Sequence, residues 1–586
     1  MIHKNGLDAY MFVRFLKILI MLFIPYTFLT FAVILPVDAV GNGGSGLARF
    51  TSGNVPNTKQ YRYAAHVVVA YFLTGFTIWL LRREMLRFIH LRHQFLLSKS
   101  HSKLAQAKTV LITSLPEKDL TTEEDLRTFA SFVPGGVARV WIYKDAPGLN
   151  DAYQQRLDAC GQLEGAVSQV LRDGVKAWRK KQRRVGGDAP TTTSGAGPVA
   201  NGTTDVESRK SVSPISIFDS ISRPTHRIGW HGVPWVGKKV DTIAWCKEEI
   251  PRLTALIEEK RKVLPEAKPH GAAMIMCNLQ MGAHVLAQCA SYHEPLKMVD
   301  KWIELAPEDV VWENIDDGAI ETRGRWILSW MATIGLVILW SFPVAFTGTL
   351  SNISELCGTV KWLAWICRMP NPWPGVVQGV LPPLFLAILF ALLPFVLQGL
   401  AYFECIPRYS LISISVYRRY FILLVIHGFL IVTLSSGLTT AIPQIINSPG
   451  TLVDGLAKNL PSASTFYLTY LIANGFTAAG GAILQLVPLI LHGVKRLLFG
   501  NTPRQAFNVG FVMPKTNLGT VLPRISLLAT IAIAYSVIAP IVAGFAVVAF
   551  SFLWFAWKFL MVGQLFTISY PCFLRSKRAI PKSRHT

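Results

Sequence analysis

Acidic side chains are scarce in this sequence: 35 Asp and Glu stand against 58 Lys and Arg, a formal net charge of +23. Charge of either sign is also missing from several long runs, each near the ~20 apolar residues that a bilayer core demands. A chain of 586 residues that is 51% apolar, with a mean hydropathy of +0.37, does not stay soluble with such runs and reads as a membrane protein. Cysteine is sparse too. Eight cysteines over this length exclude a disulfide scaffold; only Cys357 and Cys367 share an outer loop, so they alone are candidates for a bridge. No Cys/His spacing has the form of a zinc site. A phosphate-cradling Walker loop, an HExxH helix and a nucleophile elbow are all absent, so nothing points to an enzyme, a cofactor or a resident metal.

What is present is a series of eight candidate spans: 11–35, 64–81, 326–350, 376–403, 420–442, 464–491, 522–539 and 541–557. The first ends near Val37, Asp38 and Ala39, a pattern that resembles a signal-peptide cleavage site, but its apolar stretch is too long for a signal core and reads as a retained span. Arg82, Arg83 and Arg87 follow the second span, Arg418 and Arg419 precede the fifth, Lys495, Arg496 and Arg504 follow the sixth, and Arg575, Lys577, Arg578 and Lys582 crowd the tail. These segments share one side if the spans alternate, which places both ends of this chain in the cytosol, with the positive charge facing anionic lipid rather than nucleic acid.

The sixth span is defective. Residues 461–496 form a membrane-length apolar run interrupted by Asn474, Gly475, Gly480, Gly481 and Gln485. A primary amide and glycine-loosened backbone at bilayer depth have no water to bond, and persist only against protein or a wet cavity. The run is therefore expected to border a conduction path; the competing reading is that the glycines only let neighbouring helices approach closely.

Between the second and third spans lies a domain of its own. Strand-like TVLITSLP begins at Thr109, a helix follows Thr121 with acids in its first turn, and a second strand covers 138–143. Residues 151–184 read as a charged helix, 186–215 as a polar linker unable to pack, and 240–257 as an antiparallel helical partner that Pro251 should bend or interrupt. A strand over 272–277 and a helix over 282–291 complete a ferredoxin-like, RRM-like sandwich with two long helices inserted. HGAAMIMCNL and TVLITSLP carry no aromatics for base stacking, which argues against RNA. His90, His93 and His101 lie on an arginine-rich amphipathic stretch and read as a solvated basic face rather than a metal site.

The order of these parts resembles the OSCA family of osmosensitive, calcium-permeable cation channels. The resemblance rests on TVLITSLP at 109–116, GKKVDTIAWCKEEIPRL at 237–253, APEDVVWENI at 306–315, TLSSG at 433–437, PSASTFYLTY at 461–470, GNTPR at 500–504 and YSVIAP at 535–540. It covers about residues 6–560. It implies a mainly α, polytopic membrane protein with an anoctamin-like channel bundle and an inserted α+β domain, divided as 1–81, 82–325, 326–560 and a basic tail at 561–586 outside the resemblance. It also implies a homodimer in which membrane tension opens a pore inside each subunit, formed by spans three to seven and passing Ca2+, K+ and Na+. Carried onto this sequence, the pore would be lined by Gln398, Ser435, Ser436, Asn474, Gln485 and Tyr535, with Gly475, Gly480 and Gly481 as the hinge. Side-chain oxygens at such places replace part of a cation's hydration shell, while each polar residue taken singly also fits an interhelical hydrogen bond.

This chain starts at the counterpart of the family's second helix and departs from the pattern after Lys558, where family members continue through two further spans. An inactive truncated channel is thus one alternative. A lipid scramblase with headgroups passing along an open groove is a second, and a small-anion transporter a third; the paucity of buried charge and the single broken span weigh against the last. The expected membrane is the plasma membrane, with the vacuole, endoplasmic reticulum or Golgi as internal alternatives.

Overall fold

The computed structural model of the chain describes residues 2–41, 46–116, 119–144, 146–186, 221–228, 238–289, 292–315, 318–350, 392–430, 460–461, 464–499, 502–513, 515–563 and 567–568. Contacts divide it into two units. The first comprises Met1–Tyr143, Pro269–Gln485 and Met513–Thr586; the second comprises Lys144–Lys268 and Leu486–Val512.

Short, largely apolar runs build the small sheet of the first unit. Strands β1 (Thr109–Thr113), β2 (Val137–Lys144, whose last residue falls in the other unit), β5 (Pro269–Cys277) and β6 (Lys301–Ile303) lie in the order β2-β5-β1-β6. The central strand β1 pairs antiparallel with both neighbours, Leu111 opposite Met274 on one side and Trp302 on the other. Alternate residues of β1 go to opposite faces. Val110 and Ile112 pack with Leu126 of helix α3 (Glu123–Phe129) and Leu286 of α6 (Gln280–Gln288), while Leu111 joins Leu305, Val310 and Ile315 on the other side. A reciprocal cap starts α3: Thr122 accepts from the Asp125 amide at 3.1 Å, and the Asp125 carboxylate accepts from the Thr122 amide. Hydrogen bonds from the Thr122 side chain and amide to the carboxylate hold the Asp125 pKa below its ordinary value.

The membrane part of the first unit contains α1 (Ile2–Leu29), α2 (Tyr63–Leu96), α7 (Ala319–Leu350), α8 (Tyr409–Val425), α9 (Ser464–Leu484), α12 (Leu518–Ile538) and α13 (Ile541–Val562). Among the described residues six helical runs are long and apolar enough to span a bilayer: Asn5–Ala39, Tyr63–Leu96, Tyr409–Leu430, Phe466–Leu497, Leu518–Ile538 and Ile541–Val562. Helix α13 is the centre of the bundle because Ala543, Ala546, Ala549 and Ala556 are buried and let other helices close in. Phe23 of α1 stacks on Phe550, and Phe12 meets Trp557 edge-on. Arg14 of α1 forms a two-pronged bond to Glu84 of α2, with contacts of 2.7 to 3.0 Å. Asp38 is fully buried and bonds His66 at 3.0 Å.

In the second unit, α4 (Leu149–Gly186) and α5 (Thr242–Val263) pack antiparallel, the pairing expected from their patterns. Ala152, Ala159 and Ala166 are buried at seven-residue intervals on α4, a small-residue seam against Cys246, Leu253 and Ile257 of α5. Cys246 Sγ donates to the Ala159 carbonyl at 3.4 Å near one end, and Lys260 reaches the Pro147 carbonyl near the other. Helix α5 continues through Pro251. Asp241 supplies its N-cap by accepting from the Ile243 and Ala244 amides, and β4 (Lys238–Asp241) pairs with β3 (Thr225–Ile228) just before it. Two further helices, α10 (Leu486–Phe499) and α11 (Pro503–Phe511), complete the unit, with Arg504 paired to Glu164 of α4 at 3.3 Å.

Candidate functional site

The break in the sixth span falls at Gln485. Its φ of +49° is a left-handed conformation for a non-glycine residue, and it separates α9 from α10 in the middle of the apolar run Phe466–Leu497. The Gln485 amide still donates to the Gly481 carbonyl at 3.0 Å, so helix geometry is lost at one residue rather than across a loop. The glycines divide into two kinds. Gly475 is buried where α9 crosses α13, and a Cβ there would stand 2.5 Å from Cβ of Ala549, so the bare backbone is what allows contact. Among the described residues a Cβ at Gly480 or Gly481 would meet nothing within 4 Å, so close packing against them does not explain those two. Asn474 is exposed on α9 and donates to the Tyr470 carbonyl one turn back at 2.9 Å. Gln398 is exposed on the apolar helix Leu392–Tyr402. Ser435 and Ser436 lie outside the described residues, as do Cys357, Cys367, residues 187–215 of the linker and most of the expected fourth span.

Tyr535 has a different setting from these polar positions. It is fully buried in α12, 4.8 Å between ring centroids from Tyr467 of α9 and edge-on to Phe429. Phe429 belongs to Ile426–Leu430, where α8 widens into a π-helical turn. Such a turn leaves carbonyls off the regular ladder, and they need other partners. The Tyr467 hydroxyl donates to the Phe429 carbonyl at 2.7 Å and lies 3.3 Å from that of Gly428. His427 Nε2 reaches the Val337 carbonyl of α7 at 2.9 Å, and a Cβ on Gly428 would press on Leu527 at 3.3 Å. Four helices thus meet at one irregular turn beside the broken span.

A second polar centre lies nearer the start of α8. Arg419 is fully buried and forms an ion pair with Glu404, which is 1% exposed. The same guanidinium bonds Thr333 Oγ1 at 2.5 Å and the Ser329 carbonyl at 3.1 Å, and sits 5.0 Å over the Trp330 ring. Ser415 donates to the other Glu404 oxygen at 2.7 Å. Ser329 in turn donates to the Leu400 carbonyl at 2.7 Å. This network joins α7, Leu392–Tyr402 and α8, and it revises two expectations. Arg419 is not a water-facing flank of the fifth span, because α8 begins at Tyr409 rather than at 420; and charge is buried in the bundle, as a pair. Below it, Asp309 accepts from the Ser410 amide and hydroxyl and from Arg408, which fastens the segment behind the sheet to the first turn of α8.

Sequence reasoning missed the π-helical turn, His427, Tyr467 and the Glu404 to Arg419 pair. An acid and an arginine 15 positions apart on either side of an apolar boundary were the available signal for the pair. His101 also differs from its expected solvated face: it is buried and bonds Glu304 at 2.7 Å. Among the described residues no cluster of His, Cys, Asp and Glu is arranged to hold a metal ion.

These features define a polytopic helical membrane protein with a sheet-containing domain inserted between its second and third spans. Three family descriptions match it in succession: "Late exocytosis, associated with Golgi transport" over residues 1–84, "Cytosolic domain of 10TM putative phosphate transporter" over 107–314, and "Calcium-dependent channel, 7TM region, putative phosphate" over 325–567. The chain is similar to the uncharacterized protein RSN1 of Saccharomyces cerevisiae, with 33% identity over 95% of this chain and 56% of that one. Phosphate metabolism protein 7 of the same yeast is 29% identical over 95% of this chain and 54% of its own length. Hyperosmolality-gated Ca2+ permeable channel 1.7 of Arabidopsis thaliana is 23% identical over 94% of this chain and 65% of the plant protein. The chain belongs to the OSCA family, matched by three family models in succession along its length, and it spans a little over half the length of these yeast relatives.

Proposed function

We propose that the protein is a mechanically or osmotically gated, Ca2+-permeable cation channel whose pore runs inside one subunit between spans three and seven. The observation that carries the reading is the interrupted sixth span, with Gln485 in a left-handed conformation inside an apolar run of membrane-spanning length, near two glycines that no described neighbour packs against. The plant relative's name, a hyperosmolality-gated Ca2+ permeable channel, supports the choice of ion and stimulus. In this reading Gln398, Ser435, Ser436, Asn474 and Gln485 line the pathway, and Gly480 and Gly481 are its hinge. Tyr535 acts from behind the lining, through Tyr467 and the π-helical turn. Gly475 serves as the fixed pivot against α13. Tension favours the state of larger membrane area, and a break at Gln485 lets the two halves of the span change angle with that state. The inserted sheet is read as ferredoxin-like, the assembly as a homodimer in the plasma membrane, and the ends of this chain as cytosolic.

A second reading, transport of a small anion, is favoured by the word phosphate in two of the matching family descriptions. Proteoliposomes enclosing a Ca2+ indicator or labelled phosphate, and carrying a reporter lipid in the outer leaflet, separate the possibilities. A channel gives fast Ca2+ entry on osmotic swelling with the reporter lipid left in place. Phosphate accumulation without Ca2+ entry supports the transporter, and loss of leaflet asymmetry without Ca2+ entry a scramblase.

A further inference from the structure

A cavity of about 410 Å³ opens where the inserted sheet meets the first turns of α7 and α8. Its walls include Thr113 and Trp302 from the sheet, Arg323, Trp326 and Trp330 from α7, and Arg418 from α8. Nearly every other arginine in this neighbourhood is engaged: Arg325 with Glu321, Arg408 with Asp309, Arg419 with Glu404. Arg323 and Arg418 are exposed and have no carboxylate partner among the described residues. Two uncommitted guanidinium groups therefore line the cavity with a single uncommitted carboxylate, Asp300, since Glu404 is neutralised by Arg419. The Trp302 indole nitrogen is buried and meets no acceptor among the described residues. The cavity thus carries an excess of unpaired positive charge and a free indole donor, which is the chemistry of an anion site.

We propose that this cavity holds the phosphate-bearing headgroup of an anionic membrane phospholipid. Depth argues for the lipid over a free anion. The cavity lies at the turn of α7 where the helix becomes apolar, the level at which tryptophan and arginine flank a bilayer core. From Trp326 onward α7 exposes Ile327, Leu328, Met331 and Ile334, so an acyl chain leaving the cavity has an apolar wall to lie against. Inorganic phosphate makes the same contacts to Arg323 and Arg418 but gains nothing from that wall. The site touches Glu404 and Ser415 of the buried network, so its occupancy bears on the contact between α7 and α8 without depending on whether the protein conducts.

The test uses the full chain in phosphatidylcholine nanodiscs doped with a phosphatidylinositol monophosphate that carries a photoactivatable acyl chain. Cross-links are expected on peptides covering 322–334 and 411–418, and excess inorganic phosphate is expected to leave them unchanged. The doubly substituted Arg323→Gln, Arg418→Gln chain should bind the same lipid about tenfold to a hundredfold more weakly, while Arg496→Gln binds as the parent does. Both arginines are exposed, so the double substitution leaves packing intact; the cross-link map of the unaltered chain stands independently of it. Cross-links confined to other helices, or equal binding by the double variant, would overturn the proposal. Efficient competition by inorganic phosphate would overturn the lipid assignment and leave a free-anion site.

Discussion

Replacing Arg419 by Met removes a guanidinium that bonds Glu404, Thr333 and the Ser329 carbonyl and covers the Trp330 ring. Glu404 remains almost fully buried, keeping only the Ser415 hydroxyl of its partners described here. An uncompensated buried carboxylate of this kind costs about 3–5 kcal/mol, whereas replacing both members of a pair with apolar side chains of similar volume is often close to neutral. The single variant should therefore be strongly destabilised, and the double variant Arg419→Met, Glu404→Leu should recover most of the loss. Thermal and denaturant unfolding of the purified chain in one detergent, compared across wild type, both single variants and the double, gives the coupling directly. Equal losses in the single and double variants would refute the reasoning, since the penalty is assigned to the orphaned charge and not to packing.

Three other outcomes follow from the same geometry. Gly475→Ala places a methyl group against Ala549 and should destabilise by about 1–3 kcal/mol as an overpacked contact, with rescue by Ala549→Gly; Gly480→Ala, with open space around it, should instead gain up to about 1 kcal/mol from helix propensity while altering gating. Tyr467→Phe withdraws the hydroxyl from the Phe429 and Gly428 carbonyls and should cost about 0.5–1.5 kcal/mol, read as a lowered unfolding midpoint, with a changed tension threshold if the π-helical turn moves on opening. Burial pushes the Cys277 thiol up from 9.0 to about 11, so the folded state holds its proton where the unfolded chain releases it; that contribution is complete below pH 9 and is lost as pH rises towards 11. Alkylation of the native protein should accordingly mark exposed Cys160 and Cys289 and spare Cys246 and Cys277 until unfolding, as peptide mapping of labelled thiols would reveal.

The parts of the fold legible in the sequence are those that local pattern determines. The apolar run in TVLIT placed β1, and the run of three acids after Thr122 placed the cap of α3 to within a residue. Apolar length located α12 and α13 closely, and α1 with its start nine residues late. What was lost depended on partners distant in the chain. Arg419 looks like a water-facing flank until Ser329 and Thr333 of α7 and Glu404 of the turn after Leu392–Tyr402 arrive to enclose it. His101 reads as one of a basic row because Glu304 is 203 positions away. Pro251 was expected to bend or interrupt α5, and it does not interrupt it: the helix continues with the proline in place. Within the candidate site, the interruption at Gln485 was visible as a cluster of Asn, Gly and Gln in an apolar run, but only the structure separates Gly475, which packing requires, from Gly480 and Gly481, which it does not.

The measurement that bears most directly on the channel reading is current through patches of liposomes containing the purified chain, recorded during suction steps with different salt concentrations on the two sides. The account predicts stretch-evoked current that reverses near the cation equilibrium potential, carries Ca2+, and shifts its threshold when Gly480 and Gly481 are replaced by alanine. Folded, reconstituted protein that stays silent at every suction, or conducts with anion selectivity, would contradict it.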